Sequence, residues 1–154
     1  MKIEYLADNM NFAEDVAKMI YNEFIKDIRQ GISYEQVQKA VKDSNKTELP
    51  IRLAAIEDNK CAGTIALVEN DLKNSTFTPW LAALYVEKEY RGKKIAEQLI
   101  NKIINITKAL GYNEIYLRTE HTSEYYRKRG WQFVETCTDE EFNLKTDVFK
   151  STII

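Results

Sequence analysis

"YRGKKIAEQLI", Tyr90 to Ile100, joins an apolar run to a helical stripe. The first turn of a helix leaves about four backbone N–H groups without intrahelical partners, and the aligned peptide dipoles make that end positive. Gly92 permits close backbone approach, and Arg91, Lys93 and Lys94 add charge, so the junction has the make-up of an anion site. The plainer reading is a loop glycine followed by solvated cations. The spacing excludes a Walker-type loop, which needs Gly-Lys followed by Ser or Thr, and no GxGxxG fingerprint is present. The implied anion is something other than a nucleoside triphosphate.

Upstream of the junction, "WLAALYV" (80–86) is apolar without alternation, the pattern of a strand covered on both faces in the middle of a sheet. Its small Ala82 and Ala83 leave room beside it. Downstream, Ile95, Leu99, Ile103, Ile106 and Leu110 form a helical stripe that stops at Gly111, and "EIYLRT" (114–119) reads as the next strand. Strand, helix and strand predict a parallel, right-handed crossover. Further out, "IRLAAIE" and "CAGTIALVE" predict an antiparallel hairpin turned by Asp58-Asn59. "KIEYL" makes a short first strand. Phe12, Val16, Met19, Ile20, Phe24 and Ile28 then predict one helix ending near Gly31. Ser33 with Gln36 has the form of a capping box, opening a helix that runs to about Asp43. On the C-terminal side, Thr122 or Ser123 caps a short helix, "SEYYRKR", that stops at Gly130. "WQFVE" and "TDVFKST" close the chain as an antiparallel pair.

A length of 154 residues, with 44% hydrophobic and 30% charged residues, fits one domain over 1–154 with a real core. The formal charge of -2 argues against a protein that coats nucleic acid, so any anion site is local. Glu4 and Asp8 stand where a secretory signal needs a basic and then an apolar stretch, and no segment has the length of a membrane span; the cytoplasm is the expected compartment. Cys61 and Cys137 lie far apart and outside any CxxC pattern, so packing thiols are expected, with no disulfide framework and no metal.

With the order of elements in place, "RGKKIA" resembles the pyrophosphate-binding motif of the GNAT acetyltransferases, Arg/Gln-x-x-Gly-x-Gly/Ala, with Arg91 first and Ala96 last. Lys94 stands where that family usually has its middle glycine; a place in the first helical turn with negative φ is expected for it. "SEYYRKRGW" is similar to the family's "FYxxxGF" segment, which aligns Tyr126 with the tyrosine that faces the sulfur of CoA. The resemblance covers nearly the whole chain. It implies an α/β fold of the α+β type, with a mixed, mainly antiparallel seven-stranded sheet, about four helices and splayed central strands. It also implies acetyl transfer from acetyl-CoA to an amine. Leu84, Tyr85 and Val86 would present backbone groups to the acetyl and pantetheine portions, and Arg91, Gly92, Lys93, Lys94, Ile95 and Ala96 would hold the pyrophosphate. Tyr126 becomes the candidate general acid, because expulsion of a thiolate is helped by a phenol that donates a proton or hydrogen bond.

The general base stays open among Glu87, His121, Glu120 and Glu69. His121 is the one histidine, the side-chain type most often used for proton transfer near neutral pH. Glu14, Asp15, Glu23, Asp27, Asp139, Glu140 and Glu141 form an expected acidic rim suited to a cationic small-molecule or peptide amine. Tyr21, Phe24, Tyr34, Phe77 and Trp80 serve either an acceptor cleft or the core. Two rivals stand beside this reading: a non-catalytic acyl-CoA sensor or partner-binding domain on the same fold, and a nucleic-acid binder using "RGKK" and "YYRKR". The expectation is no nucleic acid, no membrane, and a monomer or homodimer.

Overall fold

Apolar runs with both faces covered belong at the centre of a sheet, and the computed structural model, which describes residues 1–153, places them there. The order is β1 (Lys2–Tyr5), α1 (Ala13–Ile20), α2 (Tyr34–Lys42), β2 (Ile51–Glu57), β3 (Lys60–Val68), β4 (Trp80–Val86), α3 (Ile95–Ala109), β5 (Glu114–Thr119), α4 (Ser123–Lys128), β6 (Gln132–Asp139) and β7 (Leu144–Thr152). The seven strands form one sheet in the order β1-β2-β3-β4-β5-β7-β6, with β4 in the middle. All neighbours are antiparallel except β4 and β5, which the α3 crossover makes parallel.

Each face is covered by helices whose stripes fit it. Ile95, Leu99, Ile103 and Ile106 of α3 pack on Leu53, Leu67, Leu81, Ile115 and Leu117. Val16, Ala17 and Ile20 of α1 and Val37 and Val41 of α2 cover Ala54 and Cys61 on the opposite face. Asp58 and Asn59 both take positive φ, as the tight β2–β3 turn requires. The capping box forms as read: Ser33 Oγ accepts from the Gln36 N–H at 3.1 Å, and Gln36 Oε1 accepts from the Ser33 N–H at 2.7 Å.

The first helix differs from expectation. It does not run to Gly31; α1 ends at Ile20 and opens into a π turn over Tyr21–Ile25. The four-residue steps from Ile20 to Phe24 to Ile28 fit a wide turn as well as an α-helix, so the apolar spacing does not tell the two apart. Here the wide turn is stabilised by Arg29, whose Nη1 donates to the Phe24 carbonyl at 2.6 Å.

Two irregularities shape the centre of the sheet. Between β4 and β5 the register holds one pair, Trp80 with Tyr116, so the strands part beyond it. Between β3 and β4 the register jumps from Ala66–Ala82 to Thr64–Tyr85, which puts an extra residue into β4, and Ala83 takes φ +53° there. A Cβ at Gly63 would stand 2.8 Å from the Tyr85 carbonyl oxygen, so the close approach of β3 to this bulge requires glycine.

Candidate active site

The parting of β4 and β5 opens a cleft of about 630 Å³. Its walls include Ile20, Glu23, Phe24 and Asp27 from the α1 side and Leu81, Leu84, Leu117 and Tyr126 from the α3 side, so it runs through the split sheet. Ala82 and Ala83 line it, as their small size suggests.

Tyr126 stands on α4, which is fixed at its start by Ser123 Oγ donating to Asp147 Oδ2 at 2.5 Å. Its ring is held edge-on by Tyr125 and Trp131, with centroids at 5.1 and 5.9 Å, and tilted against Phe149 at 6.3 Å. Only 8% of the residue is exposed, and its hydroxyl makes no hydrogen bond among the described residues. Burial pushes the phenol up to about 12; Tyr125 adds to this and Arg129 opposes it. A hydroxyl of this kind stays protonated at neutral pH and has its hydrogen bond to give.

The glycine junction lies between the end of β4 and the start of α3, outside the residues that line the cleft. Arg91 Nε donates to the Val86 carbonyl at 2.9 Å and its guanidinium sits 5.4 Å over the Tyr85 ring, so Tyr85 and Val86 support the loop from below. Lys93 Nζ lies 5.5 Å over the Tyr90 ring. Gly92 has φ +82° and nothing within 4 Å of where a Cβ would stand. Arg91 N–H bonds to Lys88 and the Gln98 N–H bonds to Lys94; from Gly92 to Glu97 no backbone N–H has a partner among the described residues. Ile95 and Ala96 open α3 within this run. Consecutive unspent amides at a helix N-terminus, with an open glycine and three cations, fit a pyrophosphate such as that of CoA.

Lys94 corrects the sequence expectation. It lies outside the first helical turn, as the N-cap residue, in the left-handed region with φ +62° and ψ +25°. The middle position of the motif therefore needs positive φ, which a Cβ disfavours. Lys94→Gly is expected to raise stability by about 1 kcal/mol, seen as a melting midpoint about 2–4 °C higher. An unchanged or lower midpoint would show that the lysine side chain repays its backbone strain.

The candidate bases separate. His121 is exposed and lines the cleft, on a turn where Thr119 Oγ1 accepts from the Thr122 N–H at 3.0 Å. Glu120 lines the cleft too, but its carboxylate is already bonded by Arg29 Nη2 at 3.3 Å and Thr146 Oγ1 at 2.7 Å. Glu87 and Glu69 are not among the residues lining the cleft. The Glu87 carboxyl is raised by burial and by Glu89, yet it sits beyond the end of β4, its N–H bonded to Ala62.

The acidic rim is also reshaped. Glu23 and Asp27 face the cleft, whereas Glu14 pairs with Lys18 at 3.3 Å on the surface. Asp139 is 3% exposed and belongs to a buried pair with Arg118. Of the aromatics, Phe24 lines the cleft, while Trp80 is fully buried and Phe77 stacks on Tyr116 at 4.5 Å. Asp71 and the arginines 29, 52 and 118, which the sequence did not single out, complete the polar lining. In "YYRKR", Arg129 lies 3.5 Å over the Tyr125 ring and Arg127 bonds Glu124 at 2.8 Å, so these groups serve the fold.

With the split sheet, the crossover through α3 and the glycine junction described, comparison with known proteins shows the family. Residues 17–131 match the model of the acetyltransferase (GNAT) family, and the chain belongs to that family. It is 28% identical over 81 residues to N-alpha-acetyltransferase 30 of Schizosaccharomyces pombe, a match covering 50% of this chain and 54% of that protein. The chain thus spans about half the length of that curated relative. A solved aminoglycoside 6'-N-acetyltransferase complexed with coenzyme A superposes with a TM-score of 0.76 at 18% identity, covering 100% of this chain and 98% of that one. Arabidopsis thaliana NAA60 in complex with acetyl-CoA gives a TM-score of 0.73 at 15% identity, covering 99% and 98%. At these identities the structural likeness speaks for the fold. No group of residues suited to a metal ion occurs among the described residues, and no helix there is long and apolar enough to cross a membrane.

Proposed function

We propose that the chain is an acetyl-CoA-dependent N-acetyltransferase that passes acetyl to a primary amine by direct attack. The observation that carries this reading is the run of unpaired amides from Gly92 to Glu97 just beyond the end of β4, taken with the unspent Tyr126 hydroxyl on a residue that lines the cleft where β4 and β5 part. Arg91 to Ala96 bind the pyrophosphate through backbone N–H groups and nearby charge. The bulged segment of β4, with Leu84 in the cleft and Tyr85 and Val86 behind it, offers backbone groups to the thioester, where an N–H stabilises the charge that develops on the carbonyl oxygen. Tyr126 donates to the departing sulfur. His121 is the favoured base, because it alone among the four candidates both lines the cleft and has no side-chain partner. Both cysteines are free, which suits a reducing compartment such as the cytoplasm.

Calorimetric titration with acetyl-CoA, beside dephospho-CoA and ATP, tests the reading. Micromolar binding of acetyl-CoA with ATP ignored is expected, since the cradle lacks the residues of a triphosphate site. Absence of acetyl-CoA binding would overturn it.

A further inference from the structure

Arg52 enters the cleft from β2 and is half-buried there. It makes no ion pair and no hydrogen bond among the described residues, and its Nε is shut away without an acceptor. Burial works against its charge, and the carboxylates of Asp43 and Asp71 counter this from a distance. An unpartnered cation in such a place costs folding free energy, and a bound anion would offset that cost.

The opposite bank repeats the pattern. Arg118, whose side chain is 4% exposed, gives Nη1 to Asp139 at 2.6 Å and to the Asp71 carbonyl at 3.2 Å. Its Nε faces Glu120 at 3.4 Å, yet Nη2 is buried with no partner. Strand register explains why the two arginines share one cleft. Arg52 pairs with Ala66, and Ala66 with Ala82. Trp80 pairs with Tyr116, so two residues on, Ala82 and Arg118 present the same face. The row across four strands reads Arg, Ala, Ala, Arg. Three strand spacings of about 4.8 Å set the arginine backbones roughly 14 Å apart or more across the split. Between them the two methyl groups leave a shallow floor with a free guanidinium at one end.

The same cleft holds carboxylates without ion pairs among the described residues: Glu23, Asp27 and Asp71. A polyamine would satisfy these and would be repelled by Arg52. A molecule carrying both an ammonium and a carboxylate would satisfy both sets. We infer that the acceptor amine also bears a carboxylate, as an amino acid or short peptide acid does, and that Arg52 is the residue that binds it. This rests on the amine-acetylating reading above and names the substrate class of that site.

The test uses pairs of acceptors that share an amine and differ in the carboxylate, lysine with cadaverine and ornithine with putrescine. Thiol release from acetyl-CoA is followed with the full chain. The wild type is expected to favour the carboxylate-bearing member of each pair by roughly 10- to 100-fold in kcat/KM, the range of a charge-assisted hydrogen bond. Arg52→Ala should bring that ratio close to one, and Arg52→Lys should restore part of it. A merely structural arginine would leave the ratio unmoved. Arg52→Met is expected to melt no lower than wild type, since it removes an unpaired buried charge. Equal use of both members, preference for the diamines, or turnover of none by protein that binds acetyl-CoA would each overturn the inference. Failure to bind acetyl-CoA at all would instead strike the underlying reading, and calorimetry separates the two.

Discussion

Tyr126→Phe is expected to lower kcat for amine acetylation by roughly 100- to 10,000-fold, the range general-acid help supplies, while leaving acetyl-CoA affinity nearly unchanged. The substitution removes one oxygen and nothing else. The ring's packing against Tyr125, Trp131 and Phe149 is preserved, and the hydroxyl has no hydrogen bond in the fold to lose. A stability effect is therefore small, and an activity loss reads as lost chemistry. Because the interaction is made as the thiolate departs, the fall should appear in kcat with KM little changed. The pH profile supplies a second check. Burial raises the phenol to about 12, so the acid form persists across the working range and wild-type activity should show no limb from Tyr126 below about pH 11. Steady-state rates and calorimetry on both proteins decide the matter. If the variant matches wild type, Tyr126 is packing, and a non-catalytic acyl-CoA-binding role on this fold gains ground.

Much of this frame was legible because local rules and tertiary demands agree. The uniformly apolar Trp80–Val86 run fits the central strand, Asp58-Asn59 meets the positive φ of the hairpin, and Ser33 and Gln36 form the capping box. The glycine junction and Tyr126 stood out as candidates for a different reason: their motifs are contiguous in sequence. What escaped depends on pairing between distant segments. The bulge in β4 follows from the packing of Gly63 against Tyr85, and no pattern within "WLAALYV" announces it. The π turn keeps the apolar spacing of a longer helix. Asp139 reads as rim charge until β6 and β5 are brought side by side through β7 and Arg118 reaches it. Arg52 is an ordinary polar residue near the start of a strand until the register carries it across Ala66 and Ala82 toward the split. Its signal in the sequence was present but faint: one arginine on a strand whose other members are largely apolar.

Arg118→Ala is expected to destabilise the fold by about 3–5 kcal/mol, the cost of leaving half of a buried ion pair behind. Arg118 and Asp139 are 4% and 3% exposed in their side chains, and 2.6 Å separates Nη1 from Oδ2. The same arginine holds the Asp71 carbonyl and Glu120, so it ties β5 to the end of β6 and to the loop before β4 at the cleft wall. Loss of the cation strands the Asp139 carboxylate with the Glu141 N–H at 3.0 Å. Burial alone would raise its pKa; the Arg118 hydrogen bond and charge, helped by backbone N–H groups, outweigh burial and hold it below the ordinary value. A carboxyl lowered in the folded state contributes stability that is present above its unfolded pKa and drains away as pH falls through the folded value. In Arg118→Ala the sign reverses, since an unpaired buried carboxylate favours the protonated form. The gap between the two proteins should thus be widest near neutral pH and narrow as pH falls, first through the raised carboxyl value of the variant and then through the lowered value of the wild type. Urea unfolding at several pH values measures it, with Arg118→Met/Asp139→Leu as the companion expected to regain most of the loss by replacing both charges with apolar groups. A gap that stays constant with pH would place the loss in side-chain packing and remove the charge pair as the clasp that keeps this wall of the cleft in place.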